Sequence, residues 1–357
     1  MNSKTYLKEL PCVQLSILTN NDNRFNNLEI IMKKLSFIFI VTFFYLVLSL
    51  VLANDNLAIP TSIKNISEST FRLNFTIFGE ENSKGRCSAT RISDKYVLTA
   101  AHCVVGFMGN SHFDNFYFEF NDKKYFLSLI EKGQFSPNET NEISDWAVLE
   151  IAQTDINELS TIKPASFPSK QKILEIINNL GDFANSQNLG TEIWSITYPI
   201  PSVRQPPRPA PDGNKFISKG YLKTELAYKK SILFGIRNNH IYDEIFEPHD
   251  IDLNIDVESE WAKLENHPQW GGIFFLAKMY KQNTNSLIYQ TSDFSGGSSG
   301  GGIFIKDNGE LIGIRVVTST LVQPKKGYNG INQLYRIDKI CKESKLLSKL
   351  DKCKLLQ

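Results

Sequence analysis

The chain has 357 residues, 39 basic and 38 acidic side chains, a formal net charge of +1, and 41% apolar against 22% charged residues. That balance excludes a fibrous or disordered chain, whose composition is skewed. It also excludes nucleic acid as the main partner, because such binding leaves a strong basic excess. The length admits one large domain or two small ones. Residues 1–31 are polar and hold no assignable pattern. Met32–Ala53 is different: Lys33 and Lys34 precede an apolar run from Leu35 to Leu52, which ends on Val51-Leu52-Ala53. This reads as a secretory signal, with translation starting at Met32 and the mature chain spanning 54–357 in a secreted or periplasmic setting. The competing reading is an uncleaved membrane anchor, since the run approaches the length of a spanning helix.

Five cysteines are present, and Cys12 lies upstream of the signal. The other four, Cys87, Cys103, Cys341 and Cys353, are an even number entering an oxidising compartment. Cys87 and Cys103 flank a strand pair and are placed for a disulfide. Cys341 and Cys353 would sit about 18 Å apart in one unbroken helix, by its rise per residue, so a bridge there requires the helix to break. Asn65, Asn74 and Asn138 head glycosylation sequons, usable only if the source glycosylates.

Ala53 to Lys84 is polar and mixed, with one strand expected at Phe71–Phe78. Ser93-Asp94-Lys95 is a turn, Tyr96–Leu98 a short apolar strand, and Thr99-Ala100-Ala101-His102-Cys103 follows. A lone histidine is usually a hydrogen-bonded core residue, but here two alanines leave room around the ring and a cysteine fixes the backbone behind it. Phe116–Phe120 and Tyr125–Leu129 alternate around Asn121–Lys124 and form a hairpin with one buried face. Asp145 heads the apolar strand that begins at Trp146. Gly190–Pro199 is a turn and strand, 199–213 a surface loop with six prolines, and Lys219–Leu222 resumes strand character.

The segment 229–271 carries no motif that its neighbours explain. Within it, Asp250–Glu258 alternates strictly, with Ile251, Leu253, Ile255 and Val257 inward and the acids outward, which predicts a half-buried strand with a solvated acidic face. His240, His249 and His267 lie in or near it without metal-ligand spacing, so no metal is expected. Ile273–Met279 and Leu287–Thr291 read as strands leading into Thr291–Ile305, which packs five glycines around two adjacent serines and runs straight into Ile303-Phe304-Ile305. A flexible linker has no reason to enter a buried strand. A glycine-tight turn that presents one serine hydroxyl and frees backbone N–H groups is the geometry of an acyl-transfer nucleophile. Ile303–Lys306 and Leu311–Val317 then form a hairpin, and Leu334, Ile337, Ile340, Cys341, Leu347 and Leu350 mark an amphipathic C-terminal helix.

Three of these segments carry a family likeness. Thr99-Ala100-Ala101-His102-Cys103 resembles the histidine motif of trypsin-like (chymotrypsin-fold) serine proteases, Cys87 and Cys103 match the disulfide that brackets it, and Gly297-Ser298-Ser299-Gly300-Gly301 resembles the serine motif. The strand opened by Asp145 resembles the aspartate segment, and the order His102, Asp145, Ser299 is the chymotrypsin order. The likeness spans roughly Phe71 to Leu350, is of the bacterial type, and implies an all-β fold of two packed antiparallel β-barrels closed by a C-terminal α-helix, with an insertion at about 229–271 because the gap from Asp145 to Ser299 exceeds the family's usual span.

It further implies a serine endopeptidase acting on proteins or peptides without a cofactor, with His102, Asp145 and Ser299 catalytic and the N–H groups of Gly297 and Ser299 as the oxyanion hole. Ser299 is favoured over Ser298, because a nucleophile at 298 would have Ser299 interrupting the glycine pair. Serine at 298, where trypsins carry an aspartate, implies activation without the N-terminal ion pair; Gly302 replaces the family's proline. Asp293 and Arg315 fall at two specificity positions and point to opposite substrate charges. A non-catalytic binding protein on the same fold, with the insertion as its surface, and a membrane-tethered protease are the alternatives.

Overall fold

The computed structural model describes residues 59–77, 80–106, 113–135, 144–181, 189–199, 214–225, 229, 256–265, 286–291, 297–319 and 330–356. The segment 32–53 read as a leader, residues 200–213 of the proline-rich loop, the strand expected at Ile273–Met279, Asp293 and the histidines at 240, 249 and 267 lie outside them.

Among the described residues, twelve strands close into two antiparallel barrels of six. The first holds β1 (Thr70–Ile77), β2 (Glu80–Arg91), β3 (Tyr96–Thr99), β4 (Phe113–Phe120), β5 (Lys123–Lys132) and β6 (Ala147–Ile151), in the order β1-β2-β3-β6-β5-β4. The second holds β7 (Glu192–Thr197), β8 (Phe216–Lys223), β9 (Ser286–Thr291), β10 (Gly302–Ile305), β11 (Leu311–Ser319) and β12 (Gly330–Arg336), in the order β10-β11-β12-β9-β8-β7. Closure leaves no edge strand in either sheet.

The alternation read from sequence places the inner faces. In β4 and β5, Phe116, Phe118, Tyr125 and Leu127 are buried while Phe126 and Ser128 face out. Phe118 stacks between Phe71 of β1 and Tyr125, at ring-centroid distances of 3.9 and 5.2 Å. The turn joining these strands is tighter than expected. Lys123 and Lys124 pair in the ladder with Phe120 and Glu119, which leaves Asn121 and Asp122 alone in the turn, at φ +48° and +60°. Two consecutive positive φ values twist the turn to match the strands, and Asn and Asp tolerate them best after glycine.

Among the described residues, helices are few and short. Ser169 caps α3 (Lys170–Ile177) by accepting the Lys172 N–H, and Ile173 and Ile176 bury its inner face between the two barrels in sequence. It follows α1 (Thr61–Ile66) and the one-turn α2 (His102–Val105) in the chain.

Residues 256–265 correct one expectation. The strand predicted to run to Glu258 does not reach its end, because α4 (Val257–Glu265) begins at Val257. Asp256 caps that helix, its carboxylate accepting the Ser259 N–H at 3.2 Å. The alternation continues as far as Val257, but beyond it Val257, Trp261 and Leu264 recur at helical spacing, and the capping aspartate settles where the period changes.

The C-terminal helix is present but broken. Leu334 belongs to β12; α5 (Ile337–Glu343) ends at Ser344 in extended backbone, and a 3₁₀ turn, Leu347–Lys349, leads to α6 (Asp351–Lys354). Glu131 of β5 stabilises the break: its carboxylate accepts the Lys345 N–H at 2.8 Å, the Leu346 N–H at 3.1 Å and the Ser344 hydroxyl at 2.5 Å. Folding back brings the Cα atoms of Cys341 and Cys353 to 5.3 Å, and the two are disulfide-bonded. Among the described residues no helix is long and apolar enough to cross a membrane.

Candidate active site

The histidine is placed by its neighbours. β3 delivers Thr99, and the fully buried Ala100 and Ala101 let the chain turn tightly into α2, where Cys103 and Val104 donate N–H bonds to the Ala100 and Ala101 carbonyls. Cys103 is joined to Cys87 of β2, with an S–S distance of 2.01 Å, which ties this turn to the sheet behind it. The sulfurs and the His102 ring lie close together, but the thiols are consumed in the disulfide, so they offer no thiolate ligands.

Asp145 is fully buried ahead of β6 and His102 nearly so. The Asp145 Oδ2 atom lies 2.8 Å from His102 Nδ1, and Oδ1 accepts the backbone N–H of His102 at 3.0 Å. A carboxylate can only accept, so Nδ1 carries a ring proton, and in the neutral tautomer Nε2 is the accepting nitrogen. The two bonds fix both the ring and the backbone that carries it, and each carboxylate oxygen gains a donor in place of water. Next to Asp145, the Trp146 Nε1–H donates to Glu343 Oε2 at 2.8 Å, and the Tyr335 hydroxyl donates to Glu343 Oε1 at 2.7 Å. The first bond fastens the aspartate segment to α5, and the second ties α5 to β12.

The serine turn comes from the other barrel. Gly297 and Gly300 have φ of +80° and +83°, the left-handed region that glycine occupies without penalty. At Gly300 a side chain is also excluded by space, because a Cβ would lie 2.1 Å from the Ser88 carbonyl oxygen and 2.2 Å from Thr99 Oγ1. The Gly300 N–H donates to the Arg315 carbonyl at 2.7 Å, and the Arg315 N–H donates to the Gly301 carbonyl at 2.9 Å, so β11 backs the turn. Ser298 is buried, whereas Ser299 and Gly297 are partly exposed.

The turn is held against the histidine segment by contacts the sequence does not announce. Ser88, fully buried and adjacent to Cys87, donates its N–H to the Ser299 carbonyl at 2.7 Å. Its hydroxyl donates to the Gly297 carbonyl at 2.9 Å and accepts the Tyr198 N–H at 2.8 Å. Its own carbonyl accepts the Thr99 hydroxyl at 2.8 Å. Thr99 stands in the histidine motif, but no sequence pattern marks Ser88. The one local signal was that Ser88 follows a disulfide cysteine, and the partners lie 209 and 110 residues away.

The structure therefore brings His102 into contact with Asp145, and the backbone of Ser299 beside the Cys87–Cys103 segment that carries His102. Of the two specificity candidates, Arg315 is buried in β11 directly behind the serine turn, and Asp293 lies outside the described residues.

Residues 64–184 match the family model described as Trypsin. No curated protein matches the chain. Among solved structures, the chain is similar to a thermostable serine protease, AL20, from an extremophilic microorganism, at 13% identity, covering 80% of this chain and 100% of that one with a TM-score of 0.45. It is similar to the Rv3671c protease of M. tuberculosis in its active form, at 13% identity over 82% of this chain and 85% of that one, with a TM-score of 0.41. It is also similar to HL collagenase, at 15% identity over 78% and 94%, with a TM-score of 0.43.

Proposed function

We propose that the chain belongs to the trypsin family of serine proteases, whose model its residues 64–184 match, and that it is a secreted endopeptidase working through His102, Asp145 and Ser299. The observation that carries this reading is the state of His102: a buried carboxylate holds the proton on Nδ1 and leaves Nε2 basic. A serine hydroxyl is too weak a nucleophile at neutral pH without such a base.

In the proposed reaction Ser299 Oγ attacks the scissile carbonyl while His102 Nε2 takes its proton. The N–H groups of Gly297 and Ser299 hold the oxyanion that forms. The tetrahedral intermediate collapses as His102 returns the proton to the leaving amine, and an acyl-enzyme on Ser299 remains. Water then attacks that ester with His102 again as base, and His102 returns the proton to Ser299 Oγ as the carboxylic acid product leaves. Asp145 keeps the tautomer and stabilises the imidazolium in each half. Uncharged Ser298 has no charge to pair with a newly cut N-terminus, so the mature enzyme needs no such activation. Export is assigned to the leader at 32–53, and the two disulfides suit an oxidising compartment.

Labelling of the purified mature protein with a fluorophosphonate probe tests the assignment. Wild type and Ser298→Ala are expected to label and Ser299→Ala is not. Equal labelling of wild type and Ser299→Ala would remove Ser299 from its role, and a folded wild type that neither labels nor cleaves peptides would favour a non-catalytic binding protein. An N-terminus at Asn54 in the secreted form supports cleavage of the leader; retention of residues 32–53 would make the enzyme membrane-tethered.

A further inference from the structure

We propose that Ser88 is a positioning residue for the oxyanion site, its hydroxyl clamping Gly297 from the opposite barrel; the inference rests on the catalytic reading above. Ser88 belongs to β2 of the first barrel, and Gly297 and Ser299 belong to the turn preceding β10 of the second. The two residues whose N–H groups would receive the oxyanion both have their carbonyls tied to Ser88: Ser299 through the Ser88 N–H at 2.7 Å and Gly297 through the Ser88 hydroxyl at 2.9 Å.

The direction of the hydroxyl proton is unambiguous. The Tyr198 N–H, 2.8 Å from Oγ, can only donate, and the Gly297 carbonyl can only accept. One hydroxyl therefore relays between β7's exit and the oxyanion turn, with its single proton committed to Gly297. Gly297 needs such an anchor more than its neighbours do. It lacks a Cβ and sits at φ +80°, so its peptide planes swing at low cost unless something outside the turn holds them. An oxyanion donor is useful only when its N–H is already aimed before the charge forms.

The contributions of backbone and side chain can be separated. Replacing Ser88 by alanine leaves its N–H on Ser299 and its carbonyl on Thr99, because both are main-chain groups. What disappears is the anchor on Gly297 and the acceptor for Tyr198. A simple packing residue, by contrast, would affect stability and substrate binding without singling out the charged intermediate.

The test compares wild type, Ser88→Ala and Ser88→Thr, each active-site-titrated with a fluorophosphonate so that rates refer to folded, reactive enzyme. For Ser88→Ala, kcat should fall about ten- to a hundredfold, less than the loss of a whole oxyanion donor, because the donor is misaimed rather than removed. KM should stay within about twofold, since the ground-state carbonyl makes little use of the oxyanion donors. Affinity for a peptide aldehyde, which forms a tetrahedral adduct, should fall by the same factor as kcat. Ser88→Thr keeps the hydroxyl and should recover most of kcat.

Unchanged kcat and aldehyde affinity in Ser88→Ala would overturn the proposal, as would a change confined to KM. If Ser88→Ala is recovered unfolded, Ser88→Thr decides: folded with near wild-type kcat it supports the role of the hydroxyl, and folded but as slow as about a hundredth of wild type it refutes it. A wild-type protein that fails to label defeats the catalytic reading itself, which is a different outcome from a labelling enzyme indifferent to Ser88.

Discussion

Asp145→Asn probes the tautomer argument most directly, because the two carboxylate oxygens have different partners. Oδ1 accepts the His102 backbone N–H at 3.0 Å and Oδ2 faces Nδ1 at 2.8 Å. An asparagine side chain has one acceptor. The backbone N–H can only donate and so draws the amide oxygen, which turns the amide NH₂ toward Nδ1. Nδ1 must then accept, the ring proton moves to Nε2, and Nε2 can no longer take a proton from Ser299. The opposite amide rotamer would restore the useful tautomer but would set NH₂ against a backbone N–H in a fully buried site. An unmet donor of that kind costs about 2 kcal/mol, which leaves about one molecule in thirty correctly arranged. The carboxylate charge that stabilised the imidazolium is lost as well, and together the two effects amount to a fall of about 10³- to 10⁴-fold in kcat/KM. The fold should survive, because the isosteric amide keeps a bond to each partner. The assay is kcat/KM on a peptide substrate with the fluorophosphonate labelling rate beside it, and a thermal melt as the fold control. A folded Asp145→Asn enzyme within tenfold of wild type would refute the reasoning.

Gly300→Ala combines a positive φ with a Cβ 2.1 Å from a backbone carbonyl, and it should destabilise the protein by about 2–5 kcal/mol in a denaturant titration, or prevent folding. Cys341→Ser with Cys353→Ser opens a short loop whose closure is worth about 3 kcal/mol, so its denaturation midpoint should fall while fluorophosphonate labelling of the folded enzyme is retained. Lys352 donates to the Ile92 and Ala165 carbonyls, and burial lowers its pKa from 10.5 to about 8. Between these values the unfolded chain holds the proton that the folded chain has released, so this group's contribution to stability rises with pH across that window. The melting temperature of wild type relative to Lys352→Met should therefore climb from pH 7.5 to pH 10; a flat or falling difference would count against the burial argument.

The strands and the histidine, aspartate and serine segments were legible because each is signalled by adjacent residues. Phe116, Phe118, Tyr125 and Leu127 alternate and point inward in β4 and β5. The small residues Ala100 and Ala101 mark the histidine turn, and the glycines at 297 and 300 mark positive φ. Misreadings fell where one local pattern gives way to another. At Asp256 an alternating run becomes a capped helix, and Val257 satisfies both periods. At Ser344 a helical pattern continues in the sequence while the chain turns, because the carboxylate that stabilises the break is on Glu131, in β5.

The sequence by itself supplied the histidine, aspartate and serine from which acyl-transfer chemistry is proposed, and the order in which they occur. The Cys341–Cys353 bridge, by contrast, depended on a helix break that hydrophobic spacing cannot reveal. Only the tertiary structure decided how the serine turn is held. The glycines that give this turn its shape also remove its stiffness, so its geometry has to be imposed from outside. Ser88 supplies that hold from the other barrel, through bonds spanning more than a hundred residues, and local patterning carries no record of contacts between segments so far apart.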